Sequence, residues 1–427
     1  MRSKSTPGKQ PVLIAALLLS ACSGPVSESA ERNDDLQYRV RYQANLLPEQ
    51  QSVAISMQVS QSRSILREMR FPANGLTNIQ GDGEVERIDG DIVWRPGDKG
   101  GELKWQVPLR NARGQQTYDA WLSDDWGLFR AEDMIPRAAT RTLKSATAET
   151  SLAFDLPPGW SVVTEYAQTG DLYRISRPGR RFAQPAGWIV TGKLGVRRDT
   201  IAGVRVAVAA PENQNVRRMD MLALLHWTLP ELAQAVPDMP ERITVVSAGE
   251  PMWRGGLSAP QSIYVHADRP LISENGTSTL VHELMHVVLG LRGAPGYDWI
   301  VEGIAEYYSI LLLQRSGTLS NRRFESAISQ QAEWSKKAKS LCAPSSTGAA
   351  TALAVITIAA VDAEIRAATA GDSTFDDVLP TLLQADARID ADILRAAVSN
   401  VAGQKSDALH ADRLPGCSTL QSAVQTH

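Results

Sequence analysis

Two histidines four residues apart, His282 and His286, constrain this chain more than any other feature. They belong to the run HELMH at 282–286. On an α-helix, residues i and i+4 lie one above the other, so both imidazoles can bind one ion. Glu283 lies beside that face and can reach a water molecule on the metal. The flanking residues are uncharged, as in a buried helix, so we predict a helix at 277–291 that binds a metal.

A third metal ligand is predicted from the next helix, at 298–316. Residues 287–301 leave room for the first helix to end and for a second helix to turn back against it. Glu302 would then face the histidines, and zinc accepts two imidazoles and a carboxylate, with one position open for catalysis. Glu306, one turn later, is predicted to accept the outer N–H of a ligand histidine. Gly303 is predicted to let these two helices approach closely.

The alternative is that Glu302 and Glu306 lie on a solvated helix face. Their neighbours argue against it, because Ile300, Val301 and Ile304 make the segment mostly apolar. A carboxylate without a partner is costly in such surroundings.

The N-terminus predicts the compartment. Basic residues precede an apolar run at 12–19, which is too short to cross a membrane, and the order is that of a secretory signal. The small residues before Cys22 resemble the lipobox of bacterial lipoproteins, in which cleavage precedes a cysteine that then carries the lipid. We therefore predict a signal peptide at 1–21, lipidation of Cys22 and a tether at 22–36. The implied location is the bacterial cell envelope, with a lipid anchor in the outer membrane facing the periplasm; plain secretion is the alternative.

Composition narrows the function classes. At 427 residues the chain has room for two or three domains, and its net charge of −3 provides no general electrostatic footprint for nucleic acid. Three cysteines are too few for a disulfide scaffold or a cysteine-rich zinc domain. Cys342 and Cys417 could form one disulfide in an oxidising compartment or remain two separate thiols.

Three blocks follow the tether and predict an α+β fold. In residues 37–200, apolar residues alternate with polar ones, for example Tyr38, Val40 and Tyr42, which predicts a β-sandwich-like N-terminal domain. Residues 201–340 mix strands and helices and contain the HELMH run, so we predict a catalytic domain there. Residues 341–427 are rich in alanine, which predicts a helical C-terminal part with a buried helix at 349–361.

The HELMH run followed by WIVEGIAEYY at 299–308 resembles the gluzincin metallopeptidases. The segments at 306–317, 362–366 and 374–379 are similar to metallopeptidase family 61, the glycyl aminopeptidase type. This resemblance implies a thermolysin-like catalytic domain with one Zn²⁺ ion. It also implies His282, His286 and Glu302 as the ligands and Glu283 as the general base.

The chain departs from the family at two places that matter for catalysis. Residues 345–348 lack the tyrosine that stabilises the oxyanion in family members, and residues 255–260 lack the acidic residue that holds the substrate amine in related aminopeptidases. The remaining candidates for oxyanion stabilisation are Tyr264, His266, Tyr297 and Tyr308. Of these, His266 is more simply explained as a strand-end histidine or a core histidine with satisfied hydrogen bonds.

These observations predict a zinc-dependent peptidase that acts on a peptide or protein substrate. The strand with Ile263 and Val265 is expected to pair with an extended peptide. One alternative is a catalytically impaired zinc-binding lipoprotein that binds peptides or proteins. Another is an interaction protein without metal, in which HELMH is accidental. The cleavage preference and the oligomeric state stay open.

Overall fold

The computed structural model describes residues 36–176 and 182–417. The predicted signal peptide, Cys22 and almost all of the tether lie outside the described residues, so these expectations stay predictions. The predicted block boundaries at 200 and 340 likewise stay predictions.

Over its described residues, the N-terminal part consists mainly of strands, with one short α-helix. Its elements are β1 Gln37–Leu47, β2 Ser52–Ser60, β3 Leu66–Pro72, β4 Thr77–Gly81, β5 Glu84–Ile88, β6 Asp91–Arg95, β7 Gly100–Pro108, β8 Arg110–Ala112, β9 Tyr118–Leu122, β10 Trp126–Arg130, α1 Ala131–Met134, β11 Ala139–Thr142, β12 Thr147–Asp155, β13 Ser161–Val163, β14 Ala167–Thr169, β15 Leu172–Ile175 and β16 Trp188–Gly192. They form sheets ordered β14-β15-β12-β1-β2-β7-β4, β13-β16-β10-β9-β8 and β11-β3-β6-β5.

Alternation of apolar and polar residues determines which side of each strand is buried. In β1, Tyr38, Val40 and Tyr42 are buried while the residues between them are exposed or half-buried, and β2 repeats this pattern with Val53 and Ile55. Successive side chains of a strand point to opposite faces, so one face of each strand joins the core. Apolar side chains from all three sheets share this core.

A fourth sheet supports the predicted metal-binding helix. Its strands are β17 Leu194–Ile201, β18 Val204–Pro211, β19 Arg242–Ala248, β20 Gly256–Ala259 and β21 Ser262–His266, and their order is β17-β18-β19-β21-β20. Strands β18, β19 and β21 run parallel, and β20 pairs antiparallel with β21 at the end of the sheet.

Helices make up most of the remaining chain. They are α2 Arg218–Ala235, α3 Thr279–Leu289, α4 Asp298–Arg315, α5 Asn321–Ser335, α6 Ala349–Ala368, α7 Leu379–Gln384 and α8 Ala391–Ala402. The predicted α+β class is confirmed, with a sheet-rich N-terminal part and a helical C-terminal part. Helices α3 and α4 fall where the sequence predicted them, and α6 contains the predicted buried run. Within the described ranges, no helix has both the length and the apolar character needed to cross a membrane.

Cys342 and Cys417 form a disulfide, which decides between the two alternatives left by the sequence. The bond joins the segment after α5 to the end of the described chain. A backbone hydrogen bond from Leu341 N–H to the Pro415 carbonyl lies beside it.

Candidate metal centre

Helix α3 has clear signals at both ends. Ser278 caps its N-terminus, because the hydroxyl accepts a hydrogen bond from the Val281 N–H. Gly290 ends it in the left-handed conformation (φ 59°), and its N–H bonds to the His286 carbonyl. His282 and His286 therefore lie one turn apart on a rigid helix, which packs against α4.

The structure brings together the three predicted ligands. The Nε2 atoms of His282 and His286 are 3.1 Å apart. Glu302, on α4, places one carboxylate oxygen 3.4 Å from His282 Nε2 and the other 3.3 Å from His286 Nε2. Among the described residues, no other three histidine, cysteine or carboxylate side chains lie close enough together to hold a metal ion.

These separations fit a zinc ion. Ligand atoms bound 2.0–2.1 Å from a tetrahedral centre lie roughly 3.3 Å from one another. The two Nε2 atoms are 3.1 Å apart, and each lies 3.3–3.4 Å from a different carboxylate oxygen of Glu302, which is close to that spacing. Two imidazole nitrogens and a carboxylate are also the donor set that a catalytic zinc site uses, with one position left open.

Glu306 orients the first histidine. Its Oε2 atom lies 2.9 Å from His282 Nδ1, so the Nδ1–H donates to the carboxylate and Nε2 is the nitrogen that faces His286 and Glu302. Ser309 donates to the Glu306 backbone carbonyl (2.8 Å) and also contacts Oε2 (3.3 Å). Sequence reasoning missed Ser309, although its position three residues after Glu306 on one helix was available as a signal.

Neighbouring charged groups strongly shift the pKa values of His282 and Glu302. Burial by itself would lower the pKa of His282, but hydrogen bonds to Glu302 and Glu306 outweigh it and raise that pKa to about 10. Burial would raise the pKa of Glu302, yet its contacts with His282 and His286 prevail and lower it to about 2. These contacts therefore favour the charged forms of His282 and Glu302, and a zinc ion would displace the proton from His282 Nε2.

Glu283 lies next to the backbone of β20. It is 8% exposed. A Cβ atom on Gly256 would stand 2.4 Å from Thr279 Cγ2 and 3.0 Å from Glu283 Cγ. Only glycine therefore allows the β20 backbone to lie this close to Glu283.

A cavity of about 440 Å³ opens over the centre and is lined by His282, Glu283, Glu302 and Glu306. The remaining wall includes Trp253 before β20, Gln331 and Trp334 of α5, and the segment 346–348 before α6. Sequence reasoning did not predict the α5 residues. They come from a distant part of the chain, and no spacing rule links them to HELMH.

The four candidates for oxyanion stabilisation lie elsewhere. Among the described residues that line the cavity there is no tyrosine, and His266 is absent too. Tyr264 donates to the Trp253 carbonyl (2.7 Å), and Tyr308 donates to Asp376 (2.6 Å). His266 is the last residue of β21 and is fully buried, as expected for a strand-end histidine, but its Nε2 atom has no hydrogen-bond partner in the described chain.

Two expectations about neighbouring elements were wrong. Gly303 was expected to let α3 and α4 approach closely, but it faces α6 instead, because a Cβ atom there would stand 2.8 Å from the Cβ atom of Ala354. The strand with Ile263 and Val265 has no free edge, because β21 pairs with β19 on one side and β20 on the other. The sheet ends at β20, Gly256–Ala259, which lies beside α3.

Comparisons with known proteins identify the fold. No family model matches the chain, and no curated protein matches it in sequence. An aminopeptidase N family protein from Idiomarina loihiensis has a similar structure, with a TM-score of 0.61, 14% identity, and coverage of 90% of this chain and 75% of its own. A Glu-to-Ala mutant of an M1 zinc metallopeptidase from Deinococcus radiodurans gives a TM-score of 0.56 at 15% identity, covering 89% of this chain and 94% of its own.

At these identities the likeness shows the fold alone. The chain shares the mixed α+β fold of aminopeptidase N-like zinc metallopeptidases, a class to which the gluzincin resemblance pointed. The narrower resemblance to family 61 has no support from these neighbours.

Proposed function

We propose that this protein is a zinc-dependent peptidase. The observation that carries the proposal is the convergence of His282, His286 and Glu302 beside Glu283, at the wall of an open cavity. A purely structural zinc site has four protein ligands and needs no neighbouring base. Three ligands with an adjacent buried carboxylate instead suit hydrolysis.

Each residue of the centre has a separate role in the proposed hydrolysis. Zinc, when held by His282, His286 and Glu302, would polarise a peptide carbonyl and lower the pKa of a water molecule. Glu283 accepts a proton from the attacking water and passes it to the leaving amine. Glu306 keeps His282 in the tautomer that presents Nε2.

An extended substrate would bind along the edge of β20. Strand addition satisfies the main-chain groups of a peptide through hydrogen bonds to a sheet edge. Strand β20 ends the sheet, and Gly256 places its backbone next to Glu283. A peptide on this edge would run past the base and the metal ligands.

Charge in the cavity favours a substrate whose amino terminus lies outside it. Among the described lining residues, the only carboxylates are Glu283, Glu302 and Glu306, all of which already have roles in the centre. A buried substrate ammonium would need a further carboxylate partner. The described lining offers no such partner, so aminopeptidase activity has no support from the cavity. Membership of family 61, the glycyl aminopeptidase type, is proposed from the motif resemblance alone.

A second candidate function is peptide or protein binding by a catalytically impaired zinc protein. One observation favours it: the described cavity wall offers no tyrosine to stabilise an oxyanion. The buried Glu283 argues against it, because binding alone needs no base at that position.

We further propose that the protein works in the bacterial cell envelope, held by a lipid on Cys22. The disulfide between Cys342 and Cys417 supports this location, since such bonds persist in oxidising compartments.

The test is to compare wild type with Glu283→Gln in a peptide-library cleavage assay, with zinc measured in the same samples. We expect the variant to retain zinc and to lose about 100- to 10,000-fold in kcat/KM, the usual contribution of a general base. Glu325→Gln, an exposed carboxylate on α5, is the matched control and should cleave as wild type does.

Retained hydrolysis in Glu283→Gln would contradict the assigned base. Zinc binding without cleavage of any peptide by wild type would favour the impaired zinc protein instead.

A further inference from the structure

Helix α5 contributes a buried amide side chain, Gln331, to the wall of the cavity. Gln331 lines the cavity and is 6% exposed. Its Oε1 atom is buried and has no hydrogen-bond partner within the described chain. Native proteins seldom leave a buried polar atom unpaired, because its lost hydration is not repaid.

An aromatic surface accompanies this amide. Trp334 follows three residues later, so it lies on the same side of α5 as Gln331. It also lines the cavity and is 46% exposed, which is unusual for a large apolar side chain. The two residues therefore form one wall of the cavity with a polar and an apolar part and no charge.

We propose that Gln331 and Trp334 form a substrate subsite, in which Gln331 hydrogen bonds to a peptide amide and Trp334 contacts an apolar side chain. A carboxamide offers a donor group and an acceptor in one plane, which matches the N–H and C=O of a peptide. Trp334 supplies the apolar area that an uncharged residue prefers. The subsite rests on the proposed peptidase function and defines its substrate class as peptides with an apolar residue at this position.

The experiment removes the amide without changing the length of the side chain. Gln331→Met is compared with Gln330→Met in the zinc-loaded mature protein; Gln330 is exposed on the same helix and donates to Ser326. Substrates are quenched peptides that differ at one position, with Leu or Phe replaced by Ser or Asp. A second readout needs no turnover: fluorescence polarisation measures the Kd of a labelled peptide for Glu283→Gln, with and without Gln331→Met.

We expect Gln331→Met to raise KM and Kd about three- to tenfold with little change in kcat, the size of one or two neutral hydrogen bonds. Gln330→Met should leave both constants unchanged. Trp334→Ala should abolish the preference for Leu or Phe over Ser. Because Gln331→Met removes a buried unpaired oxygen, its Tm should equal or exceed that of wild type.

Equal KM and Kd for the two methionine variants would overturn the proposal, as would a lowered Tm with unchanged peptide affinity, which marks a structural role. A different result would show that the proposed peptidase function, rather than the subsite, is wrong. Wild type would then cleave no peptide, while the effect of Gln331→Met on Kd would still be measurable.

Discussion

His282 depends on a carboxylate that does not itself belong to the ligand trio. Glu306 accepts from its Nδ1–H at 2.9 Å, and this contact decides which nitrogen faces Glu302 and His286. Hydrogen bonds of this kind orient a ligand ring and raise its basicity. The affinity of the centre for zinc should therefore depend on Glu306.

We predict that Glu306→Ala weakens zinc binding by about 10- to 100-fold, because the imidazole loses its orientation. Glu306→Gln should lose less, since its amide oxygen can still accept from Nδ1–H. Competition with a chromophoric chelator measures both affinities. Equal zinc affinity in wild type and Glu306→Ala would show that the contact has no role in metal binding.

For single residues, the sequence predicted which side chains share a face of one helix, because helix periodicity determines this. The four-residue spacing placed His282 and His286 together, and the polar residues of an otherwise apolar helix identified Glu302 and Glu306. It could not predict Gln331, since nothing in its local pattern reports a cavity built from other elements. The tyrosine candidates do not line the cavity. The sequence could not show this, because it does not reveal where a hydroxyl group points.

Helix α4 is held in place from its far side by α6 and the turn that follows. Tyr307 donates to Asp362 of α6 at 2.8 Å, and the Phe375 N–H donates to the same carboxylate at 2.7 Å. Tyr308 and Arg315 make the equivalent bonds to Asp376. Because Glu302 and Glu306 lie on α4, this network positions the third ligand.

We predict that Asp362→Ala lowers the free energy of unfolding by about 2–4 kcal/mol, because it leaves the Tyr307 hydroxyl and the Phe375 N–H buried without an acceptor. Asp372→Ala, an exposed carboxylate near the end of α6, should change it by less than about 0.5 kcal/mol. Urea denaturation gives both values. Similar losses in the two variants would contradict the role of Asp362.

At the element scale, local pattern predicted α3, α4 and the alternating strands, but not what each element packs against. Gly303 was predicted to let α3 and α4 approach closely, whereas the atom that a side chain there would meet belongs to Ala354 of α6. Strand β21 was read as a substrate edge, although β20 follows it and then pairs back outside it. Strand order across a sheet depends on long-range pairing, which periodicity does not encode.

The disulfide acts on the whole molecule. It links residues 75 apart in sequence, and Cys342 precedes by four residues the segment at 346–348 that forms part of the cavity wall. Closing a loop of this length restricts the unfolded chain and so stabilises the folded one. Sequence alone left the pairing open, because it cannot bring two distant cysteines within bonding distance.

We predict that replacing Cys342 and Cys417 by serine lowers the free energy of unfolding by about 2–4 kcal/mol. Dithiothreitol should produce a comparable loss in wild type. The double variant is its own control, since the reductant should leave it unchanged. A wild-type protein whose denaturation midpoint ignores the reductant would contradict a stabilising bond.

The zinc content of the purified protein decides whether His282, His286 and Glu302 form a metal site. Metal analysis of the purified protein should find one zinc per chain in wild type and in Glu283→Gln. The variants His282→Ala and Glu302→Ala should be folded by circular dichroism but hold little or no zinc. Wild type without zinc after loading, or Glu302→Ala binding zinc as tightly as wild type, would contradict the account.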